Sequence, residues 1–165
     1  MTDTLDDLVA AELAVPVDPR VGEMAAAIAG LYGQAARAVL FYGSCLRSSE
    51  LDGQMLDFYL IVSNYPEAYG RSWLATANRL VPPNVFPFEH RGLAAKYAVL
   101  SEADFLRLNG PSLSVSVWAR FAQPSRLVWA AGQGAADACA HSVARAAPTV
   151  LAAAAPMVPP DLDDP

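Results

Sequence analysis

Two nearly uninterrupted apolar runs dominate the middle of the chain, residues 38–42 (AVLFY) and 55–62 (MLDFYLIV). A half-solvated strand would alternate apolar with polar, so short runs apolar on both phases predict strands covered on both faces. Upstream, Met24, Ile28, Leu31 and Ala35 recur at roughly helical spacing and predict a helix over 21–37. Residues 66–80 predict another, with Pro66 suited to a first turn after Ser63-Asn64, and 81–84 (VPPN) form a break. Residues 85–89 (VFPFE) and 93–100 (LAAKYAVL) flank His90-Arg91-Gly92 as a hairpin in which Gly92 takes the positive φ. Ser101-Glu102-Ala103-Asp104 resembles a capping box with Asp in its fourth place, so a helix runs to Leu108 and stops at Asn109-Gly110-Pro111. Residues 112–121 fit strand or helix, with helix preferred. Residues 126–129 predict a strand, and 135–155 an Ala-rich helix interrupted at Pro148.

This alternation predicts an α/β or α+β domain over 21–155, a small mixed sheet of four to five strands with flanking helices. An acidic N-terminal segment (1–20) precedes it, and an acidic, Pro-rich tail (156–165), predicted to be disordered, follows.

Composition narrows the class. The 165 residues suit one domain with a real core, and 54% are apolar. Even so, no run approaches the ~18 apolar residues of a membrane span. The longest candidate, 146–158, is broken by Pro148 and Pro156. The opening MTDTLDDLVAAEL is acidic, unlike a secretory signal or an Arg-rich transit peptide. Cys45 and Cys139 stand far apart with no CxxC or Cys/His cluster, which indicates neither disulfides nor zinc and fits a reducing cytoplasm. The net charge of −6 counts against nucleic-acid binding, which depends on basic groups neutralising phosphate. The acids gather at the two ends, and Lys96 is the one lysine among eleven basic residues.

The candidate chemistry lies between the two apolar runs. Gly43-Ser44 closes the first, and Asp57 is the one charged residue in the second. Glycine lets the backbone approach a ligand, and a serine opening a helix offers its hydroxyl and nearby N–H groups to a phosphate. A carboxylate on the neighbouring strand holds Mg²⁺ against that phosphate, as nucleotidyl transfer requires. Plainer alternatives stand beside this one. Gly43-Ser44 also fits a strand-ending turn, and Asp57 a strand-edge acid, although burying it unpaired would be costly. Lys96 fits a solvated strand residue as well as a phosphate ligand. Glu89 is a further candidate metal ligand, with a solvent-facing hairpin acid the stronger reading. His90 and His141 fit surface or structural roles, Cys45 a packed thiol, and Trp73, Trp118 and Trp129 core or interface aromatics.

Tyr42-Gly43-Ser44, a spacer and Asp57-Phe58-Tyr59-Leu60 resemble the polymerase-β-like nucleotidyltransferase superfamily. Its signature is an apolar residue, Gly, Ser or Gly, a spacer of about ten residues, then acid–apolar–acid–apolar. Tyr59 stands at the second acid, and strand alternation puts it on the same face as Asp57. In order, FYGSCLRSS, QMLDFYLIVSNYP, AAKYAVLS and WARFAQPSRLV resemble the mitochondrial translocator assembly and maintenance family and its bacterial relatives. Those proteins are phosphatidate cytidylyltransferases that make CDP-diacylglycerol, and their blocks run approximately YGS, MLDFxFxVD, KYGV-S and GRLxKP. The resemblance covers about residues 39 to 129.

It implies a nucleotidyltransferase fold in which Gly43 and Ser44 bind the triphosphate of CTP and Asp57 binds Mg²⁺. It gives Lys96 a catalytic, charge-pairing role on phosphate of CTP or phosphatidic acid, and Arg120 a place at the lipid phosphate. A lipid substrate implies a cytoplasmic protein in peripheral contact with an anionic membrane at the inner face. Two departures accompany Tyr59: Gln123 falls at the family's lysine, and family members continue with helical segments beyond this length. A small nucleotidyltransferase acting on a soluble or protein substrate, and a non-catalytic nucleotide-binding remnant, are the alternative classes.

Overall fold

Local signals set most element boundaries in the computed structural model, which describes residues 4–48, 50–70, 73, 76–77 and 83–157. Thr4 caps α1 (Leu5–Leu13): its hydroxyl accepts from the Asp7 amide, and the Asp7 carboxylate accepts from the Thr4 amide. The acidic N-terminal segment is therefore helical in part, and it anchors through Leu13. Asp18 caps α2 (Pro19–Gly30), with proline in the first turn where its missing N–H costs nothing. The helix expected to reach Arg37 ends instead at Gly30. Gly33, at φ 53°, opens a 3₁₀ turn (Gly33–Ala35), and β1 (Ala36–Tyr42) begins directly after it.

Gly43 ends β1, and α3 (Ser44–Ser48) leads toward β2 (Met55–Val62). Asn64 caps α4 (Tyr65–Tyr69) by accepting from the Glu67 amide. Most of the remaining helix expected to Leu80, residues 81–82 of the expected break, and positions 158–165 of the tail lie outside the described residues. The expected hairpin is formed by β3 (Asn84–His90) and β4 (Leu93–Ser101). Its two turn residues both take positive φ, 48° at Arg91 and 80° at Gly92, matching the twist of the flanking strands. The Ser101 hydroxyl accepts from the Asp104 amide and starts α5 (Glu102–Asn109).

Two further expectations need correction. The helix over 112–121 shrinks to α6 (Trp118–Phe121). Ser112 donates to the Ser114 carbonyl, and the Ser114 and Ser116 hydroxyls bond each other, local bonds that compete with helix formation. Beyond β5 (Ser125–Ala130), the Ala-rich stretch breaks at Arg145, not Pro148, into α7 (Gln133–Ala144) and α8 (Ala146–Ala154). Pro148 sits in the first turn of α8, where proline is tolerated.

The five strands form one mixed sheet in the order β3-β4-β2-β1-β5, with β2 and β4 parallel and the other pairs antiparallel. On one face Phe41, Phe58, Leu60 and Val99 pack against Val21, Met24 and Ile28 of α2. On the other, Leu40, Tyr59, Ile61 and Leu100 lie under Leu13, Phe105, Phe121 and Val143. Helices on both faces explain why β2 is apolar on both phases. The end of α5 is tied down by Arg145, which donates to the Leu106 carbonyl, and by Thr149, which donates to that of Asn109. Among the described residues no helix is long and apolar enough to cross a membrane.

Candidate functional site

Strand register brings the candidate residues into one row. Tyr42 pairs with Asp57, Asp57 with Lys96, and Lys96 with Pro87. Paired positions on neighbouring strands point to the same side of the sheet, and Tyr59, two residues along β2 from Asp57, shares that side. Together with Ala98, Pro83 and Val85, and with Arg120 reaching in from α6, Tyr42, Asp57, Tyr59 and Lys96 line a cleft of about 280 Å³.

Asp57 is not an unpaired acid inside a buried strand. Lys96 Nζ lies 3.3 Å from its Oδ1, the lysine 54% exposed and the aspartate 19%. Gly43 holds the other side. Its φ is 95°, and a Cβ built there would come within 2.9 Å of Asp57 Oδ2. Only glycine accepts both the backbone conformation and the carboxylate so close to it. Ser44 follows as the first residue of α3, exposed and outside the residues that line the cleft. Cys45 is buried, its thiol 3.6 Å from the Met55 carbonyl, as a packed thiol should be.

Arg120 is held by aromatic rings. Its guanidinium carbon lies 5.0 Å from the centre of the Tyr42 ring and 5.9 Å from that of Tyr59, and Nη1 donates to Tyr59 Oη at 3.0 Å. The short α6 is anchored by Phe121, whose ring centre sits 5.1 Å from that of Tyr59 and 4.9 Å from that of Phe105. Burial pushes the Tyr59 phenol above its ordinary pKa, with Arg120 working against the shift, and burial does the same to Tyr42. Both hydroxyls therefore stay protonated near neutrality. Among the described residues the cleft thus sets two cations, Lys96 and Arg120, against the single carboxylate of Asp57, in a chain of net charge −6. Such a local excess attracts an anion.

Other candidates lie elsewhere. Glu89 is exposed opposite Ala94 and does not line the cleft, in keeping with a solvent-facing hairpin acid. Gln123 turns its amide back to the Ala119 carbonyl, and His141 pairs with Asp6. Among the described residues no group of three or more His, Cys, Asp or Glu is placed to hold a metal. Magnesium would therefore have Asp57 as its one protein carboxylate among the described residues of the cleft, and would need phosphate oxygens and waters for its other ligands. One carboxylate fits a metal that arrives with a nucleotide. The ring clamp on Arg120 was the part that sequence reasoning missed, although the in-phase placement of Tyr59 with Asp57 was its available signal. The chain matches no model of a known protein family and no curated protein.

Proposed function

We propose that the protein is a nucleotidyltransferase and that its reaction is cytidylyl transfer from CTP to phosphatidate. The observation that carries the proposal is the convergence of Gly43, Asp57, Lys96 and Arg120, which lie on four separate stretches of chain, at one end of the sheet. These are four of the five positions that the ordered resemblance to the phosphatidate cytidylyltransferase family picks out, the fifth, Ser44, lying outside the residues that line the cleft, and the four meet without having been chosen for proximity. The polymerase-β-like fold belongs to the same proposal, and a five-stranded mixed sheet with helices on both faces supports it.

In this scheme an oxygen of the lipid phosphate forms a bond to the α-phosphorus of CTP. The bond from that phosphorus to the β-phosphate oxygen breaks, and pyrophosphate leaves with the electron pair. No proton need be removed from an ionised phosphate. Magnesium, held by Asp57 and the triphosphate, supplies charge neutralisation when bound. Gly43 lets the backbone come close to the phosphates, and Ser44 offers a hydroxyl at the turn. Lys96, exposed enough to swing, leaves Asp57 for a phosphate oxygen when nucleotide enters. The test is pyrophosphate release from CTP in the presence of phosphatidate vesicles and Mg²⁺. The proposal expects release that depends on phosphatidate and is abolished in Asp57→Asn. Equal release without phosphatidate, or no effect of Asp57→Asn, counts against it.

One observation favours a second reading, a nucleotide-binding protein without turnover. Among the described residues Asp57 has Lys96 as its partner and no second carboxylate in the cleft. Saturable CTP binding with no pyrophosphate released under any acceptor would select that reading.

A further inference from the structure

We propose that the groove between α5 and α7 is a second binding site, and that its ligand is an uncharged small molecule with an apolar body and one group that both donates and accepts a hydrogen bond. The groove lies on the same face of the sheet as the cleft, yet the two share no lining residue. Its volume of about 390 Å³ falls within the usual range for small-molecule pockets. The site stands apart from the nucleotidyl-transfer reading of the cleft.

Small residues open the groove. Ala103 of α5 and Ala135 and Ala138 of α7 line it, and none of the three carries a side chain long enough to fill it. The end of α5 is tied down elsewhere, where Arg145 and Thr149 donate to the Leu106 and Asn109 carbonyls. Beneath the opening lie Ile61 of β2, Phe105 and Cys139, all buried. An apolar floor of this kind takes up a hydrocarbon or aromatic body and releases its hydration water.

The rim selects the head group. Arg37 Nε donates to Glu102 Oε1 at 3.0 Å, and the two side chains are 36% and 35% exposed, so a ligand can reach both. Among the described residues the Nη groups of Arg37 and Oε2 of Glu102 have no protein partner, which sets donors and an acceptor side by side. A carboxamide, with one C=O and one NH₂, answers both. A charged head does not. Arg37 and Glu102 already neutralise each other, and His141, also in the lining, pairs with Asp6. A carboxylate or an amidinium would give up its hydration without meeting a surplus of opposite charge. The cleft is the opposite case, with two cations facing one carboxylate among the described residues.

The test uses the full chain and three probes of one shape, naphthalene bearing a carboxamide, a carboxylate or an amidinium. Each is titrated at neutral pH by NMR against protein labelled at its alanine and isoleucine methyl groups, with no nucleotide present. The carboxamide is expected to saturate, to move the Ala138 and Ile61 signals, and to bind roughly tenfold or more tightly than either charged probe. Ala138→Phe, which fills the groove from an exposed helical position, should abolish that binding. Glu102→Gln removes the negative charge and should turn the preference toward the carboxylate, and Arg37→Gln should turn it toward the amidinium. These two variants decide the matter even where Ala138→Phe does not fold. No saturation by the carboxamide, equal binding of all three probes, or shifts confined to Ala98 in the cleft overturns the site. So does binding unchanged in a folded Ala138→Phe, or a head-group preference that neither charge variant moves.

Discussion

Replacing Gly43 by alanine gives the sharpest local test of how the site is built. An alanine at φ 95° carries a backbone penalty of roughly 1–2 kcal/mol, because its Cβ is too close to the following carbonyl. The new methyl also meets Asp57, 2.9 Å from Oδ2 and 3.5 Å from Cβ. Relief requires the carboxylate to leave its rotamer, at about 0.5–1.5 kcal/mol. Gly43→Ala should therefore cost roughly 1.5–3.5 kcal/mol of stability, the sum of the two terms. Only the second term involves Asp57. In an Asp57→Ala background the clash with Oδ2 disappears and the backbone term remains, so the four proteins of a double-mutant cycle should show a coupling of about 0.5–1.5 kcal/mol by urea unfolding. Magnesium-dependent CTP affinity should fall in Gly43→Ala alone, because the carboxylate has been turned. Strict additivity, or an alanine variant as stable as the parent, would refute the claim that Gly43 is reserved for the carboxylate beside it.

Lys96→Ala should change stability by no more than ~1 kcal/mol, since its pair with Asp57 is half solvated, yet weaken CTP binding strongly, with Lys96→Arg recovering part of it. The same variant should bind Mn²⁺ at least as well as the parent without nucleotide, because a competing cation has been removed; calorimetry on the three proteins checks both points. Alkaline pH should unfold the protein through its buried acids. Burial pushes the Cys139 thiol from its ordinary 9.0 up to about 12, and burial with the Asp104 hydrogen bond pushes Tyr65 from 10.0 to about 12. Both folded values are raised, so their contribution is complete below pH 9 and is lost as pH rises from 9 through 12. Urea midpoints measured across that window should fall, and Cys139→Ala should flatten the fall.

Much of the sheet was legible because burial on both faces erases alternation. Phe41, Phe58 and Leu60 face α2 while Leu40, Tyr59 and Ile61 face α5 to α7, so both central strands stood out as solid apolar runs. The hairpin was legible from Arg91-Gly92, a turn that needs positive φ. Helix α1 was not, because Leu13 is the one residue it buries fully, Val9 is half-buried, and Leu5 and Leu8 are exposed. Nor was the end of α2, where the same Ala-rich pattern runs on past Gly30 into β1. In the site, Gly43 and Asp57 were visible as exceptions within apolar runs. The pairing of Asp57 with Lys96 depends on parallel register between β2 and β4, which no local pattern encodes. The approach of Arg120 depends on α6 docking Phe121 among distant rings, a tertiary event with no signature in its own neighbourhood.

The central claim is that this cleft transfers a cytidylyl group to a lipid phosphate. Two samples of CTP, one labelled at the α-phosphate and one at the γ-phosphate, are each incubated with the protein, Mg²⁺ and phosphatidate vesicles, and the lipid is then extracted. The account predicts that the α-label enters the organic phase as CDP-diacylglycerol, that the γ-label stays in water as pyrophosphate, and that Asp57→Asn moves neither. Gamma-label in the lipid, or no label in the lipid from CTP or any other nucleoside triphosphate, would contradict it.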